Sequence, residues 1–199
     1  MVSDKDRNGG ARPMLAVKYI LDKMLALLLL ILFLPFAILI ILWIWFLLKE
    51  NPFFTQMRVG KNGEDFRIIK FKTIPEKFPE KEFKMLCFFR QTHIDELPQL
   101  LNILAGSMSI VGPRPHVPEH VAQYEPWQYE RLKVKPGITC TRQLKTPFKK
   151  QNFNQLIELD IEYVEDWSLW LDTKIFFKTI SYVGRQLWYT LRVEKHKWY

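Results

Sequence analysis

The stretch HIDELPQL, His93–Leu100, sets two adjacent carboxylates, Asp95 and Glu96, just downstream of Arg90. The run GSMSIVGPRP, Gly106–Pro115, then fixes Arg114 between two prolines. Arginine presents a planar fork that matches phosphate oxygens. A carboxylate can attack a phosphoryl group only where the negative charge of that group is screened, so an acid pair among arginines reads as phosphate chemistry. Magnesium suits such a site, because it takes one or two carboxylates together with substrate phosphates. The sequence itself carries no metal motif: His93, His116, His120 and His196 lack ligand spacing. Taken alone, an acid pair more often decorates a helix start, and here Thr92 or a neighbour is expected to cap a helix whose first turn holds Asp95 and Glu96.

The elements that must position this pair begin with a membrane segment. No charged residue lies between Lys23 and Lys49, and Met24–Leu48 is almost wholly apolar. That run is long enough to enter a bilayer, and it is too long and lacks the cleavage site for a secretory signal. Pro35 divides it into two pieces, each on the order of 16–20 Å at about 1.5 Å per residue, short of the roughly 30 Å hydrocarbon core. Lys5, Arg7, Arg12, Lys18 and Lys23 precede the run, and Lys49, Arg58, Lys61, Arg67, Lys70 and Lys72 follow it. Both flanks therefore favour the cytoplasm. A re-entrant hairpin, helix–break–helix over residues 14–49, satisfies both; a proline-kinked spanning helix is the alternative. Residues 1–13 read as a mobile polar tail.

Residues 50–199 read as one compact cytosolic α/β domain, mostly α with a few short β strands, of which Phe66–Phe71 is the clearest. Helical patterning is expected over Phe83–Phe89, Glu96–Ala105, His116–Arg131, Phe153–Trp167 and Leu169 to about Tyr189. The last of these is aromatic and basic, with Trp170, Phe177, Trp188, Lys174, Lys178 and Arg185, which suits a helix lying in the membrane interface as well as one packed internally. The net charge of +8 over 199 residues favours phosphate-bearing partners or an anionic membrane surface. Cys87 and Cys140 have no CxxC spacing, so neither a disulfide framework nor a zinc site is indicated and a reducing compartment is expected.

At this point the sequence resembles the bacterial sugar transferases, the small monotopic phosphoglycosyl transferases that begin lipid-linked glycan assembly. The likeness rests on Lys18 and Asp22 before the hairpin, Pro35 at its break, NPFFTQMRVGKNG at Asn51–Gly63, FRIIKFKT at Phe66–Thr73, FFRQTHIDELPQL at Phe88–Leu100, VGPRP at Val111–Pro115, VKPGIT at Val134–Thr139 and DIEYVEDWSLWLD at Asp160–Asp172. The resemblance implies that Asp95 is a nucleophile toward the sugar-linked phosphate of a UDP-sugar and a ligand of Mg2+, with Glu96 as its partner acid. UMP leaves, and polyprenyl phosphate then takes the phosphosugar. Lys70, Arg90 and Arg114 match basic positions assigned to phosphates; Gln143 and Asp160 match further substrate-binding positions, and Asp172 a later acid. The implied partners are the UDP-sugar donor, the polyprenyl phosphate acceptor and membrane lipids at the cytoplasmic face of the bacterial inner membrane. No nucleic acid is expected, and homodimerisation is left open.

Three departures stand out. Relatives carry a motif like GWAQVNGRN after the PGIT turn, whereas this chain reads CTRQLKTPF at Cys140–Phe148: Gln143 is kept, the family arginine falls on Pro147, and Arg142, Lys145, Lys149 and Lys150 are available to stand in. Tyr19 stands where the family carries arginine, and Leu34 where it carries a small polar residue. Two competing readings follow, an inactive relative and a basic membrane-anchored binding module.

Overall fold

The computed structural model describes residues 4–74, 84–142 and 152–193. Helix α1, Asp4–Leu48, is followed by strands β1, Phe53–Val59, and β2, Asp65–Phe71. Then come α2, Lys84–Gln91, a single 3-10 turn at Ile94–Glu96, α3, Gln99–Ala105, and β3, Ser109–Val111. Short helix α4, Pro118–Val121, a 3-10 segment at Pro126–Lys133 and β4, Gly137–Thr139, lead to α5, Phe153–Glu165, and α6, Leu169–Val193. The mostly α architecture with a few short strands is as expected.

Helix α1 corrects the expected break: the backbone stays helical from Asp4 to Leu48, with Pro13 and Pro35 inside it. Proline forfeits one hydrogen bond in a helix interior but does not force an interruption where apolar neighbours favour continuation. The polar stretch from Asp4 to Pro13 is likewise helical. Burial varies along α1 in an informative way. Lys18, Asp22 and Ala26 are buried at four-residue spacing, as are Ile40, Ile44 and Leu48, whereas Ile31–Phe36 is exposed around its whole circumference. The first arm packs with Leu100, Ile103, Met108 and Ile175; the second packs with Phe71, Leu86 and Phe89, and Trp43 meets Phe89 edge-on at 5.7 Å. Over Pro13–Leu48 the helix is long and apolar enough to cross a membrane.

Strands β1 and β2 form an antiparallel hairpin, in register from Phe53 opposite Phe71 to Val59 opposite Asp65. Strands β3 and β4 are parallel, Ser109 opposite Gly137 and Val111 opposite Thr139. The approach is close: a β-carbon on Gly137 would lie 2.1 Å from the Gly112 nitrogen, and one on Gly112 would lie 2.4 Å from the Lys135 carbonyl oxygen. The Gly112 amide donates to the Thr139 carbonyl and the Gly137 amide to that of Pro113, each at 3.0 Å. VGPRP and VKPGIT are thus two halves of one joint. The expected helix over His116–Arg131 is instead α4 and a 3-10 segment, each opened by proline, because each proline restricts the residue before it to extended backbone.

The first arm of α1 is tied down by buried charge. Lys18 Nζ lies 2.6 Å from Asp172 Oδ2 and 3.3 Å from Asp22 Oδ2. Ser109 Oγ donates to Asp22 at 2.5 Å, and Tyr163 and Trp167 donate to Asp172 at 2.6 and 3.1 Å. Asp172 therefore serves at the helix–domain joint. One lysine between two carboxylates, each also accepting neutral donors, satisfies a group of charges that burial would otherwise penalise.

Candidate active site

Asp95 and Glu96 lie in the 3-10 turn that precedes α3, rather than in the first turn of an α-helix. His93 adopts left-handed backbone geometry, φ 59°, and turns the chain between α2 and this segment. Thr92 is not the expected cap: its hydroxyl donates back to the Phe88 carbonyl at 2.7 Å and closes the end of α2. Both acids are buried, at 6% and 5% exposure.

Their surroundings divide them sharply. Glu96 Oε1 accepts from Lys70 Nζ at 2.6 Å and from Arg114 Nη2 at 3.0 Å. Burial alone pushes its carboxyl up, but the Arg114 and Lys70 charges outweigh that and hold it at about 2. Glu96 is therefore a permanent anion that fixes two cations. Asp95 has the opposite fate. Burial, reinforced by the neighbouring Glu96 charge, lifts its carboxyl from 3.8 to about 6, against the pull of Lys70 and Arg114. Among the described residues its Oδ1 has no hydrogen-bond partner. A desolvated carboxylate with a buried, unpartnered oxygen, near two cations held by Glu96, has the chemistry to attack a phosphorus atom or to hold a metal that reaches it.

The cations are positioned from the backbone outward. Lys70 is on β2, next to Ile69, whose amide donates to Asn102 Oδ1 at 3.1 Å; Asn102 Nδ2 donates to the Arg67 carbonyl at 2.7 Å. Asn102 of α3 thereby holds β2 against the helix that follows the acid pair. Arg114 is framed by Pro113 and Pro115, Arg131 Nη2 donates to its carbonyl, and Arg58 Nη1 donates to the Pro115 carbonyl at 3.1 Å. Arg90 is in the last turn of α2, its Nη2 3.8 Å from Cys87 Sγ.

Asp160, expected to contact substrate, is held here between two arginines. It is 1% exposed; Oδ2 accepts from Arg131 Nη2 at 2.7 Å and from Arg142 Nη2 at 2.5 Å, and Oδ1 accepts from Arg142 Nε at 3.0 Å. Arg142 Nη2 also reaches His116 Nε2 at 3.0 Å, while His116 Nδ1 is 2.6 Å from the Tyr124 hydroxyl. Burial and the Arg131 and Arg142 charges push His116 down to about 2, so the ring is neutral, accepts from Arg142 at Nε2 and donates from Nδ1 to Tyr124. Because Arg131 also grips the Arg114 carbonyl, Asp160 acts on the site through Arg131. Gln143 lies outside the described residues, as do Lys145, Pro147, Lys149 and Lys150.

Sequence reasoning passed over Asn102 and Arg131. Neither sits in a pattern that distinguishes it from a surface residue, and their roles arise from contacts 29 to 35 positions away along the chain. The described residues contain no cluster of three His, Cys, Asp or Glu side chains able to hold a metal. A magnesium ion that keeps its waters and binds substrate phosphates needs fewer protein ligands, and the open Asp95 oxygen fits that demand.

The family model described as bacterial sugar transferase matches residues 14–186. This chain belongs to the bacterial sugar transferase family. A UDP-glucose:undecaprenyl-phosphate glucose-1-phosphate transferase of Caulobacter vibrioides is 35% identical over 195 residues, covering 87% of this chain and 73% of that protein. The exopolysaccharide production protein ExoY of Rhizobium meliloti is 32% identical over 205 residues, covering 89% and 90%. The galactosyl transferase CpsE of Streptococcus agalactiae is 34% identical over 152 residues, covering 65% of this chain and 34% of that protein. The sugar transferase chain thus spans about a third of the length of some relatives and most of others. All of the motifs that carried the resemblance, from Lys18 to Asp172, fall within the matched span.

Proposed function

We propose that this sugar transferase moves a phosphosugar from a UDP-sugar to polyprenyl phosphate and releases UMP. The observation that carries this reading is the division of the acid pair: Glu96 is neutralised by Lys70 and Arg114, while Asp95 is buried, unpartnered at Oδ1 and raised to about 6. An Asp95 oxygen attacks the sugar-linked phosphorus, the bond from that phosphorus to the bridging oxygen breaks, and UMP leaves with the electron pair. A phosphate oxygen of polyprenyl phosphate attacks the same phosphorus and returns Asp95 as carboxylate. Lys70 and Arg114, which Glu96 holds, are the cations that would bind the non-bridging phosphate oxygens in both steps. Magnesium, held at Asp95, supplies screening of the diphosphate charge when bound.

The two-sided packing of α1 supports a re-entrant placement. Both arms rest on the same domain, and the segment exposed all round, Ile31–Phe36, brackets Pro35. A kink at Pro35 that leaves the helix otherwise continuous would let the apex dip into lipid while the acid pair stays at the cytoplasmic headgroup plane. There a soluble nucleotide and a buried isoprenoid can meet. Single cysteines at Val17 and Lys49 are expected to react with an impermeant reagent from the same side, whereas labelling from opposite sides contradicts the placement.

The activity is tested with purified protein, Mg2+, undecaprenyl phosphate and a panel of UDP-sugars that includes UDP-glucose and UDP-galactose, reading UMP. Release with one donor, abolished in Asp95→Asn, is expected. No release with any donor identifies an inactive relative, and release by Asp95→Asn at the parental rate removes Asp95 from the mechanism.

A further inference from the structure

Three lysines outside the acid pair converge where α1 joins the domain. Lys135 Nζ lies 4.3 Å from the centroid of the Tyr19 ring, and Lys61 Nζ lies 5.5 Å from the same centroid. A carbon placed at the β position of Gly106 would sit 3.6 Å from Lys135 Nζ and 3.7 Å from Lys23 Nζ, so these two ammonium groups face one small space beside the end of α3. Among the described residues none of the three forms an ion pair with a carboxylate, and Asp22, the acid next to Lys23, is already taken by Lys18 and Ser109.

Like charges gathered this way oppose one another. Burial lowers the Lys135 ammonium below its ordinary range, and the Lys23 and Lys61 charges add to that. Two features offset part of the repulsion. The face of Tyr19 attracts Lys61 and Lys135, and the carbonyl end of α3 contributes roughly half a negative charge. Three unit charges against these and the nearby Asp22 carboxylate, itself shared with Lys18, leave a net cationic cluster that an anion completes.

The setting selects the kind of anion. Lys23 is exposed on α1, and its helical neighbours Ile20, Met24, Leu27 and Leu28 are 60%, 64%, 50% and 62% exposed. The cluster therefore lies at the edge of an apolar face that water alone does not favour. We propose that Lys61 and Lys135 at the Tyr19 ring, with Lys23 beside Lys135, bind the phosphate of an anionic phospholipid headgroup at a site separate from Asp95. The aromatic face of Tyr19 lets Lys61 and Lys135 approach where a cationic side chain would repel them. Bound lipid would fix the angle at which α1 leaves the domain.

The test uses the full chain in neutral detergent, titrated with phosphatidylglycerol, phosphatidylcholine or inorganic phosphate, with thermal midpoint and lipid retention in native mass spectrometry as readouts. Phosphatidylglycerol is expected to raise the midpoint saturably. Each lysine near a lipid surface contributes about fivefold in affinity, so Lys23→Gln, Lys61→Gln and Lys135→Gln together weaken the response about a hundredfold, while the three Lys→Arg changes preserve it. Asp95→Asn binds like the parent, which separates this site from the proposed chemistry. Four results overturn the proposal: an equal response to phosphatidylcholine; an equal response to inorganic phosphate; the same loss from the charge-matched set Lys174→Gln, Lys178→Gln and Arg185→Gln on α6; or, with phosphatidylglycerol saturating, a raised KM for polyprenyl phosphate in the triple glutamine variant.

Discussion

Replacing Asp95 by asparagine should stabilise the protein, and the gain should depend on pH. Burial and Glu96 raise the Asp95 carboxyl from 3.8 to about 6 in the folded chain. Below pH 4 the group is protonated whether the chain is folded or not, and the two states do not differ. Above pH 6 it is ionised in both, and folding then carries the full penalty of holding the charge in a desolvated position, about 3 kcal/mol at 1.36 kcal/mol per pK unit. Asparagine removes the charge at nearly constant volume. At pH 7.5 the thermal midpoint of Asp95→Asn is expected to exceed that of the parent by roughly 6–12 °C, and the advantage should shrink to nothing as pH falls from 6 to 4. Tryptophan fluorescence melts of both proteins across pH 4–8, in one detergent, measure this. A variant no more stable than the parent at pH 7.5, or one whose advantage grows toward acid, refutes the idea of a strained, desolvated carboxylate.

Further outcomes follow from the same geometry. Glu96→Gln removes the charge that helps raise Asp95, so the acid limb of the pH–rate profile should move below about 6, together with a lower maximal rate from the loosened Lys70 and Arg114; an unmoved limb argues against the coupling. Asp160→Ala leaves Arg131 and Arg142 buried without their shared carboxylate and should destabilise by about 3–5 kcal/mol in a denaturant melt, with Asp160→Leu no better. Gly137→Ala pushes a methyl group against the Gly112 nitrogen and should part β3 from β4; a loss of about 3 kcal/mol or failure to accumulate as folded protein is expected on expression and melting.

The parts of the site that could be read from the sequence were those with local signatures. The apolar run around Pro35, the adjacent acids at Asp95 and Glu96, and Arg114 between two prolines each announce themselves within a few residues. The geometry that gives them meaning is long-range. That Lys70 reaches Glu96 from β2, 26 positions away, has no local signature. Nothing near Asp160 in sequence announces that Arg131 and Arg142 enclose it. The 3-10 turn at Ile94–Glu96 was hidden because an acid pair before an apolar run looks the same in sequence whether the first turn is tight or α-helical, and only the left-handed His93 distinguishes them. Proline at position 35 signalled a discontinuity, but a long apolar helix packed at both ends absorbs one missing hydrogen bond. Tyr19 was visible only as a departure, and its use emerged once Lys61 and Lys135 were placed over its ring.

The central claim is that Asp95 carries the phosphosugar between donor and acceptor. Rapid mixing of the protein with its UDP-sugar, in the absence of polyprenyl phosphate, tests it most directly. A burst of one UMP per active site and a phosphosugar mass increment on the peptide containing Asp95 are expected, both absent in Asp95→Asn. Turnover with acceptor but no burst without it, or a burst of equal size in Asp95→Asn, contradicts it.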